Sequence, residues 1–147
     1  MPLPQAFFDT LPQHHSSEEM QRILEADHKL NHAGRDYDCA FTSYALRLWK
    51  TSGGVIFCAP NVMFIIHEQL RNVAEFHSVN GGTAKDLTAG VAQLLFALAP
   101  YYNFASTYYD NPRVNDLLRY GGYPYKLTRI DGGEDRTFEA RFDLRSN

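Results

Sequence analysis

Asn111-Pro-Arg-Val-Asn-Asp-Leu-Leu-Arg-Tyr-Gly-Gly-Tyr123 is the stretch that does most to decide the fold of this chain. Asn111 is a preferred helix cap, and Pro112 suits the first helical position because a proline lacks the N–H group that would be unpaired there. Two glycines then end the helix. The stretch therefore predicts a short helix that leads through a glycine exit into a strand near Tyr123.

The segment before it predicts a strand, a glycine turn and a long helix. Val73 to Val79 is apolar and runs into Asn80-Gly-Gly-Thr-Ala-Lys85. Residues 84–98 carry leucines and valine at helical spacing, and Pro100 closes the helix. Residues 103–109 then predict a further strand before the Asn111 helix.

Short apolar runs predict the other strands. Residues 55–58, 62–70 and 73–79 are joined by short links, with a tight reversal at Arg71-Asn72, which favours an antiparallel meander. The last strands, about residues 123–130 and 137–144, flank a glycine-containing loop at 131–134. The order of elements predicts a single α+β domain.

The N-terminal third is predicted to be mainly helical. Residues 1–15 are expected to form an irregular arm or a short edge strand. Ser16, with Glu19 three residues later, predicts a helix start, and a second helix is expected over 39–52. We therefore divide the 147 residues into an arm (1–15), a helical pair (16–52) and a sheet core with two helices (53–147).

Composition excludes several classes of function. The net charge of −3 argues against a dedicated nucleic-acid-binding module, which needs a basic face. We expect a soluble protein, because no signal peptide is evident and no stretch approaches the roughly 20 apolar residues of a membrane span. Cys39 and Cys58 are compatible with one disulfide, although two free thiols are favoured.

No metal site is predicted. His28 and His32 lie four residues apart on the first long helix, as zinc ligands often do. Their segment is otherwise strongly polar, which favours a solvated helix face.

The order of elements, together with the Asn111 motif, resembles the GNAT (GCN5-related N-acetyltransferase) superfamily. The family motif is Asn-x-x-Ala-x-x-Leu-Tyr-x-x-x-Gly-Phe, and this chain places there Asn111, Val114, Leu117, Leu118, Gly122 and Tyr123. The resemblance implies a mixed, twisted sheet, an antiparallel meander plus a parallel pair, with helices on both faces. The first strand of the family then has only Gln5 to Thr10 as a candidate.

The resemblance also implies a site for acetyl-CoA. The family binds the pyrophosphate at a Gln/Arg-x-x-Gly-x-Gly/Ala loop, on which Gly82, Thr83 and Ala84 can be placed, with Lys85 in reach and Val79 at the Gln/Arg position. Backbone groups around Phe76, Ser78 and Val79 would bind pantetheine, and Asn111 completes the expected cofactor-binding set. A plain strand-to-helix turn is the alternative.

The catalytic groups are incomplete. In many family members, the tyrosine at the place of Leu118 protonates the departing thiolate, and leucine cannot donate a proton. Glu75 and His77 alternate on one strand and are the candidate general bases, with a polar solvated face as the alternative. Tyr108, Tyr109 and Tyr120 are the tyrosines available to replace the missing acid.

Two functions follow from this resemblance. The first is a catalytically degenerate domain that needs no cofactor and is held by protein partners in a larger assembly. The chain is also similar to internal virion proteins of short-tailed bacteriophages, which implies that this assembly is a phage particle. The protein would then be found in the host cytoplasm before assembly. The second is an active N-acyltransferase that uses acetyl-CoA to acylate an amine.

Overall fold

A computed structural model of the protein describes residues 3–31, 54–109, 113–132 and 138–145. The predicted helix over 39–52, the Asn111-Pro112 cap and residues 133–137 of the last hairpin lie outside this part. The helices are α1 (Gln5–Asp9), α2 (Ser17–Asn31), α3 (Ala84–Leu98) and α4 (Arg113–Tyr120), and the strands are β1 (Val55–Ala59), β2 (Val62–Leu70), β3 (Val73–Asn80), β4 (Phe104–Tyr109), β5 (Lys126–Gly132) and β6 (Phe138–Asp143).

The strands form one six-stranded sheet in the order β1-β2-β3-β4-β6-β5. Strands β1, β2 and β3 are successive antiparallel neighbours, as the meander prediction requires. Strand β4 runs parallel to β3, because α3 carries the chain back across the sheet between them. Strand β6 then pairs antiparallel with both β4 and β5. The predicted mixed sheet with a meander and a parallel pair is confirmed.

The register between β2 and β3 shifts by one residue close to their turn. Leu70 lies opposite Val73, as a two-residue reversal demands, but Glu68 lies opposite Ala74. Gln69 is therefore the extra residue of a β-bulge. Because side chains alternate between the faces of a strand, this single residue decides which face the rest of β2 shares with β3.

The main hydrophobic core lies on the face of the sheet covered by α1, α3 and α4. Phe64 of β2 and Phe76 of β3 are fully buried there, with ring centroids 6.0 Å apart. The helices complete this core with Phe7, Val91, Leu94, Leu95, Leu98 and Leu118.

A smaller cluster lies on the opposite face, under α2. Ile23 of α2 is fully buried against the strand residues Ile56, Cys58, Met63, Ile65 and Val79. Helices therefore cover both faces of the sheet, as predicted. The possible disulfide partner of Cys58, Cys39, lies outside the described residues.

The start of the chain differs from the prediction. Residues Gln5–Asp9 form a helix rather than an irregular arm or an edge strand, so Gln5 to Thr10 does not supply a first strand. Pro4 precedes the helix with φ −59°, and Phe7 carries the segment into the core, edge-on to Tyr101 with centroids 6.2 Å apart. Phe7 is the buried residue within Gln5–Asp9, and one buried position in a five-residue helix produces no periodicity that a sequence pattern can reveal.

The start of α2 follows the sequence. The Glu19 N–H donates to Ser16 Oγ at 3.1 Å, as the cap prediction requires. The Glu19 carboxylate pairs with Arg22 one turn later.

Within the described ranges, none of the helices has the length and apolar character needed to cross a membrane.

Replacing Phe7 tests whether the first helix is part of the folded domain. We expect Phe7→Ala to lower the free energy of unfolding by about 3–5 kcal/mol, because a fully buried ring leaves a cavity. Phe96→Ala is the matched control, since that ring is 73% exposed and should change stability by less than about 0.5 kcal/mol. Urea denaturation followed by circular dichroism measures both, and equal effects would contradict the assignment.

Candidate functional site

Strands β3 and β4 pair over only part of their length. Their ladder runs from Val73 opposite Phe104 to Phe76 opposite Thr107. Beyond it, residues 77–80 of β3 and 108–109 of β4 form no further ladder pairs with each other in the described structure. The two parallel strands therefore stop pairing at Phe76, beside Ser78 and Val79, whose backbone groups are predicted to bind pantetheine.

The turn from β3 to α3 is held by hydrogen bonds within the protein. The Gly81 N–H donates to the Asn61 carbonyl at 2.8 Å, and the Gly82 N–H donates to Asn80 Oδ1 at 2.9 Å. The Thr83 N–H donates to Asp86 Oδ2 at 2.8 Å. Of the residues predicted to form the phosphate loop, Gly82 and Thr83 therefore have N–H groups that already donate to acceptors within the protein.

Asp86 places a carboxylate at the N-terminus of α3. The Asp86 N–H donates to Thr83 Oγ at 3.2 Å, which completes a capping box with Thr83 as the cap. The hydrogen bond from the Thr83 N–H lowers the pKa of Asp86, assisted by the hydroxyl of Thr83 and by Asn61. The position that favours an anion in any helix is thus occupied by a side chain of the same helix.

Close packing explains why glycine is present at both Gly81 and Gly82. A Cβ on Gly81 would lie 2.7 Å from the Cα of Ile23, because α2 packs directly on the turn. A Cβ on Gly82 would lie 2.2 Å from Asp86 Oδ2 and 2.8 Å from the Cβ of Asn61. Contacts inside the protein are sufficient to require glycine at both positions.

A second carboxylate lies at the end of β3. Asp27 of α2 is buried and accepts the backbone N–H of Asn80 at 3.0 Å. Helix α2 thus contributes Ile23 to the glycine turn and Asp27 to the strand end. Helix α2 therefore contacts the corner between β3 and α3 through both packing and hydrogen bonding.

The residues predicted to bind the cofactor have varied surroundings. Phe76 faces the main core and Val79 packs in the cluster under α2, while Ser78 is half-buried. Ala84 and Lys85 are exposed in the first turn of α3, and Asn111 lies outside the described residues. Binding of a cofactor by these residues stays a prediction.

Leu118 lies in the hydrophobic core at the place of the family tyrosine. Its side chain is 5% exposed and belongs to the cluster that also holds Leu94 and Phe142. Tyr123 follows α4 and packs edge-on against Phe142, with centroids 5.4 Å apart. The motif that decided the fold therefore contributes apolar contacts through Leu118 and Tyr123.

Two histidines and a glutamate meet on the α2 side of the sheet. Glu75 and His77 share this face of β3, as predicted, and His67 of β2 lies directly opposite Glu75. The Nε2 atoms of His67 and His77 lie 2.5 Å and 3.5 Å from the same atom, Oε2 of Glu75. The two imidazole rings are stacked, with centroids 5.8 Å apart and planes at 17°.

This cluster is largely removed from solvent. The side chains of His67, Glu75 and His77 are 10%, 12% and 15% exposed. Burial would raise the pKa of Glu75, but hydrogen bonds from His67 and His77 outweigh burial and hold that pKa at about 2. Glu75 is therefore an ionised carboxylate, and so low a pKa makes it a weak proton acceptor.

A second polar group lies beside this cluster on the same face. The Tyr108 hydroxyl accepts from Gln69 Nε2 and donates to Glu139 Oε2, each at 2.9 Å. Burial raises the pKa of Tyr108, and the charges of Glu139 and Glu75 add to the effect. Of the other candidate acids, Tyr109 donates to Asn115 Oδ1 at 2.5 Å and Tyr120 is 79% exposed.

Sequence reasoning missed His67 and Asp86. Counting back from the two-residue turn places His67 opposite Phe76, on the main core face, and only the bulge at Gln69 moves it opposite Glu75. For Asp86 a signal was present: Thr83 with an acidic residue three positions later is a capping box.

Changing the cap threonine tests the capping box. We expect Thr83→Ala to lower the free energy of unfolding by about 1 kcal/mol, because the Asp86 N–H loses its acceptor. Asp86→Ala should also destabilise, and the double variant should lose less than the sum because the two residues share hydrogen bonds. Lys85→Ala, an exposed change in the same turn, is the control in urea denaturation. Fully additive losses would argue against the box.

Replacing Leu118 tests whether the core around this position has room for a tyrosine ring. We expect Leu118→Tyr to lower the free energy of unfolding by about 1–3 kcal/mol, because a larger ring must enter a packed core. Tyr120→Leu, the reverse change on an exposed position of the same helix, should be nearly neutral. If thermal denaturation finds Leu118→Tyr as stable as the unmodified protein, an open space exists beside α4.

No protein-family model and no curated protein sequence matches this chain. Among solved structures, the fold is similar to that of Ard1 from Thermoplasma volcanium, an N-acetyltransferase of the GNAT family. The TM-score is 0.52 at 12% sequence identity, and the match covers 90% of this chain and 97% of that chain. At this identity the likeness concerns the fold alone, and the protein has a GNAT-like α+β fold.

Proposed function

We propose that this chain is an acetyltransferase-like domain that has lost the acetyl-CoA site of its fold and acts as a non-catalytic component. The observation that carries the proposal is the position of the Asp86 carboxylate at the N-terminus of α3. In the GNAT family, that helix end receives the pyrophosphate of the cofactor.

Electrostatics favours the protein's own carboxylate over the ligand. A helix N-terminus attracts one anionic group because its N–H groups and its dipole point outward. Here Asp86 accepts the N–H of Thr83, and Asp27 accepts the N–H of Asn80 nearby. A pyrophosphate arriving at this corner would meet two carboxylates and would have to displace the hydrogen bonds of the capping box.

The lack of a proton donor for the CoA thiolate supports the same proposal. The family tyrosine delivers a proton to the thiolate of CoA, and Leu118 at that place has no proton to donate and is packed in the core. Tyr108 is the best placed alternative on the sheet, but its hydroxyl proton is directed to Glu139. Burial further raises the pKa of Tyr108, and a strong internal hydrogen bond makes a poor proton donor to a ligand.

The narrower form of this proposal is a structural role in the particle of a short-tailed bacteriophage. It is supported by the sequence motif and by the pattern of lost groups. In that role the domain needs no cofactor and is held by protein partners, in the host cytoplasm and then in the virion.

One observation favours a second candidate, an active N-acyltransferase. The ladder between β3 and β4 ends at Phe76 and Thr107, which leaves unpaired strand edges of the kind that bind pantetheine in the family. In this candidate, Glu75 or His77 would accept a proton from the amine, and acetyl-CoA would be the donor.

Titration with acetyl-CoA and with CoA separates the two functions. We expect no heat of binding up to about millimolar ligand from the folded protein, which corresponds to less than about 4 kcal/mol of binding free energy. Asp86→Asn keeps the size of the side chain and removes its charge, so this variant should bind acetyl-CoA more tightly than the unmodified protein if the carboxylate excludes the pyrophosphate. An active GNAT enzyme titrated in the same buffer is the positive control.

Micromolar binding to the unmodified protein would overturn the proposal. Lys85→Glu identifies the site in that case, since Lys85 is exposed in the first turn of α3 and is the predicted phosphate contact. Loss of binding in Lys85→Glu, with folding retained in circular dichroism, would establish a working cofactor site and favour the N-acyltransferase.

A further inference from the structure

We propose that His67, Glu75 and His77 form a binding site for a divalent transition-metal ion of the zinc type. This proposal goes beyond the proposed function and does not depend on it, since the cluster shares no residue with the capping box of α3. It rests on the convergence of three ligand atoms on one point of a rigid sheet.

The ligand atoms lie close enough to share one ion. One atom from each of the three side chains falls within 4.8 Å of the others. An ion with bonds of about 2.1 Å in tetrahedral geometry holds its ligand atoms about 3.4 Å apart. His77 Nε2 and Glu75 Oε2 are already 3.5 Å apart, while His67 Nε2 and Glu75 Oε2 are 2.5 Å apart. The shorter separation is that of a hydrogen bond and would lengthen when an ion binds between the two atoms.

The backbone holds the three residues in place before any ion arrives. His67 and Glu75 are opposite each other in the β2–β3 ladder, and His77 is the next residue of β3 on the same face. Both strands are interior to the sheet, because β1 and β4 flank them. Side chains on such elements keep their relative positions better than side chains on loops do, which favours binding.

The donor set indicates which metals fit. Two imidazole nitrogens and one carboxylate oxygen suit zinc and related divalent transition metals. Calcium and magnesium prefer a shell made of oxygen atoms and are poorly served here. Three protein ligands leave a further coordination position, which is the arrangement of zinc sites that also bind water or a substrate.

The charge of the cluster also favours a cation. The Glu75 side chain is only 12% exposed, and its Oε2 atom faces the Nε2 atoms of both histidines. A buried carboxylate is costly unless a positive charge compensates it. A divalent ion held between the three groups would supply that charge. Each Nε2 atom would release its proton and bind the ion in place of its hydrogen bond to Glu75.

Metal titration of tag-free protein tests the proposal. We expect Zn²⁺ to bind in a one-to-one ratio and to raise the melting temperature, and Co²⁺ to show visible absorption bands on binding. Mg²⁺ and Ca²⁺ should do neither. His67→Ala, His77→Ala and Glu75→Gln should each weaken Zn²⁺ binding at least about 100-fold, since each removes a direct ligand.

His14→Ala is the matched control, because His14 is an exposed histidine outside the cluster and should leave Zn²⁺ affinity unchanged. Glu75→Gln keeps the size of the side chain, so it remains informative if a histidine variant fails to fold. Circular dichroism without metal verifies the fold of each variant. The proposal is overturned if the unmodified protein shows no Zn²⁺ binding at micromolar concentrations, or if Glu75→Gln binds Zn²⁺ as tightly as the unmodified protein.

Discussion

The pairing of β2 with β3 is the constraint on which most of this structure depends. These strands lie inside the sheet, and their two faces supply both hydrophobic clusters. The bulge at Gln69 sets their relative register. As a result, one face of the strands points to α3 and carries Phe64, Ile66 and Phe76. The other face points to the α2 side and carries Ile65, His67 and Glu75. Without that extra residue, His67 would face the main core, where a polar ring would lack partners.

The corner between β3 and α3 places a carboxylate of the protein at a helix N-terminus. A glycine turn followed by a helix N-terminus provides N–H groups for an anion in any protein that has one. In this chain Asp86 is that anion, and α2 closes over the turn through Ile23 and Asp27. The same geometry that receives a phosphate elsewhere therefore stabilises the helix here.

The α2 side of the sheet combines polar groups from strands that are distant in sequence. Glu75 and His77 were predicted to share a face because alternation along a strand is a local property. Their partner His67 comes from the neighbouring strand, and Tyr108 comes from a strand that the chain reaches only after α3. The chemistry of this face, a low-pKa carboxylate between two imidazoles beside a half-buried phenol, is therefore a product of the sheet.

The sequence by itself determined the fold class, the meander, the long helix and the absence of a proton donor at Leu118. These features depend on local periodicity, on capping residues and on a motif whose spacing is fixed within one helix. Only the tertiary structure decided the helical start of the chain, the occupation of the α3 terminus and the meeting of His67 with Glu75. Each of these depends on a contact between distant segments or on a one-residue bulge, and neither leaves a periodic signal in the sequence.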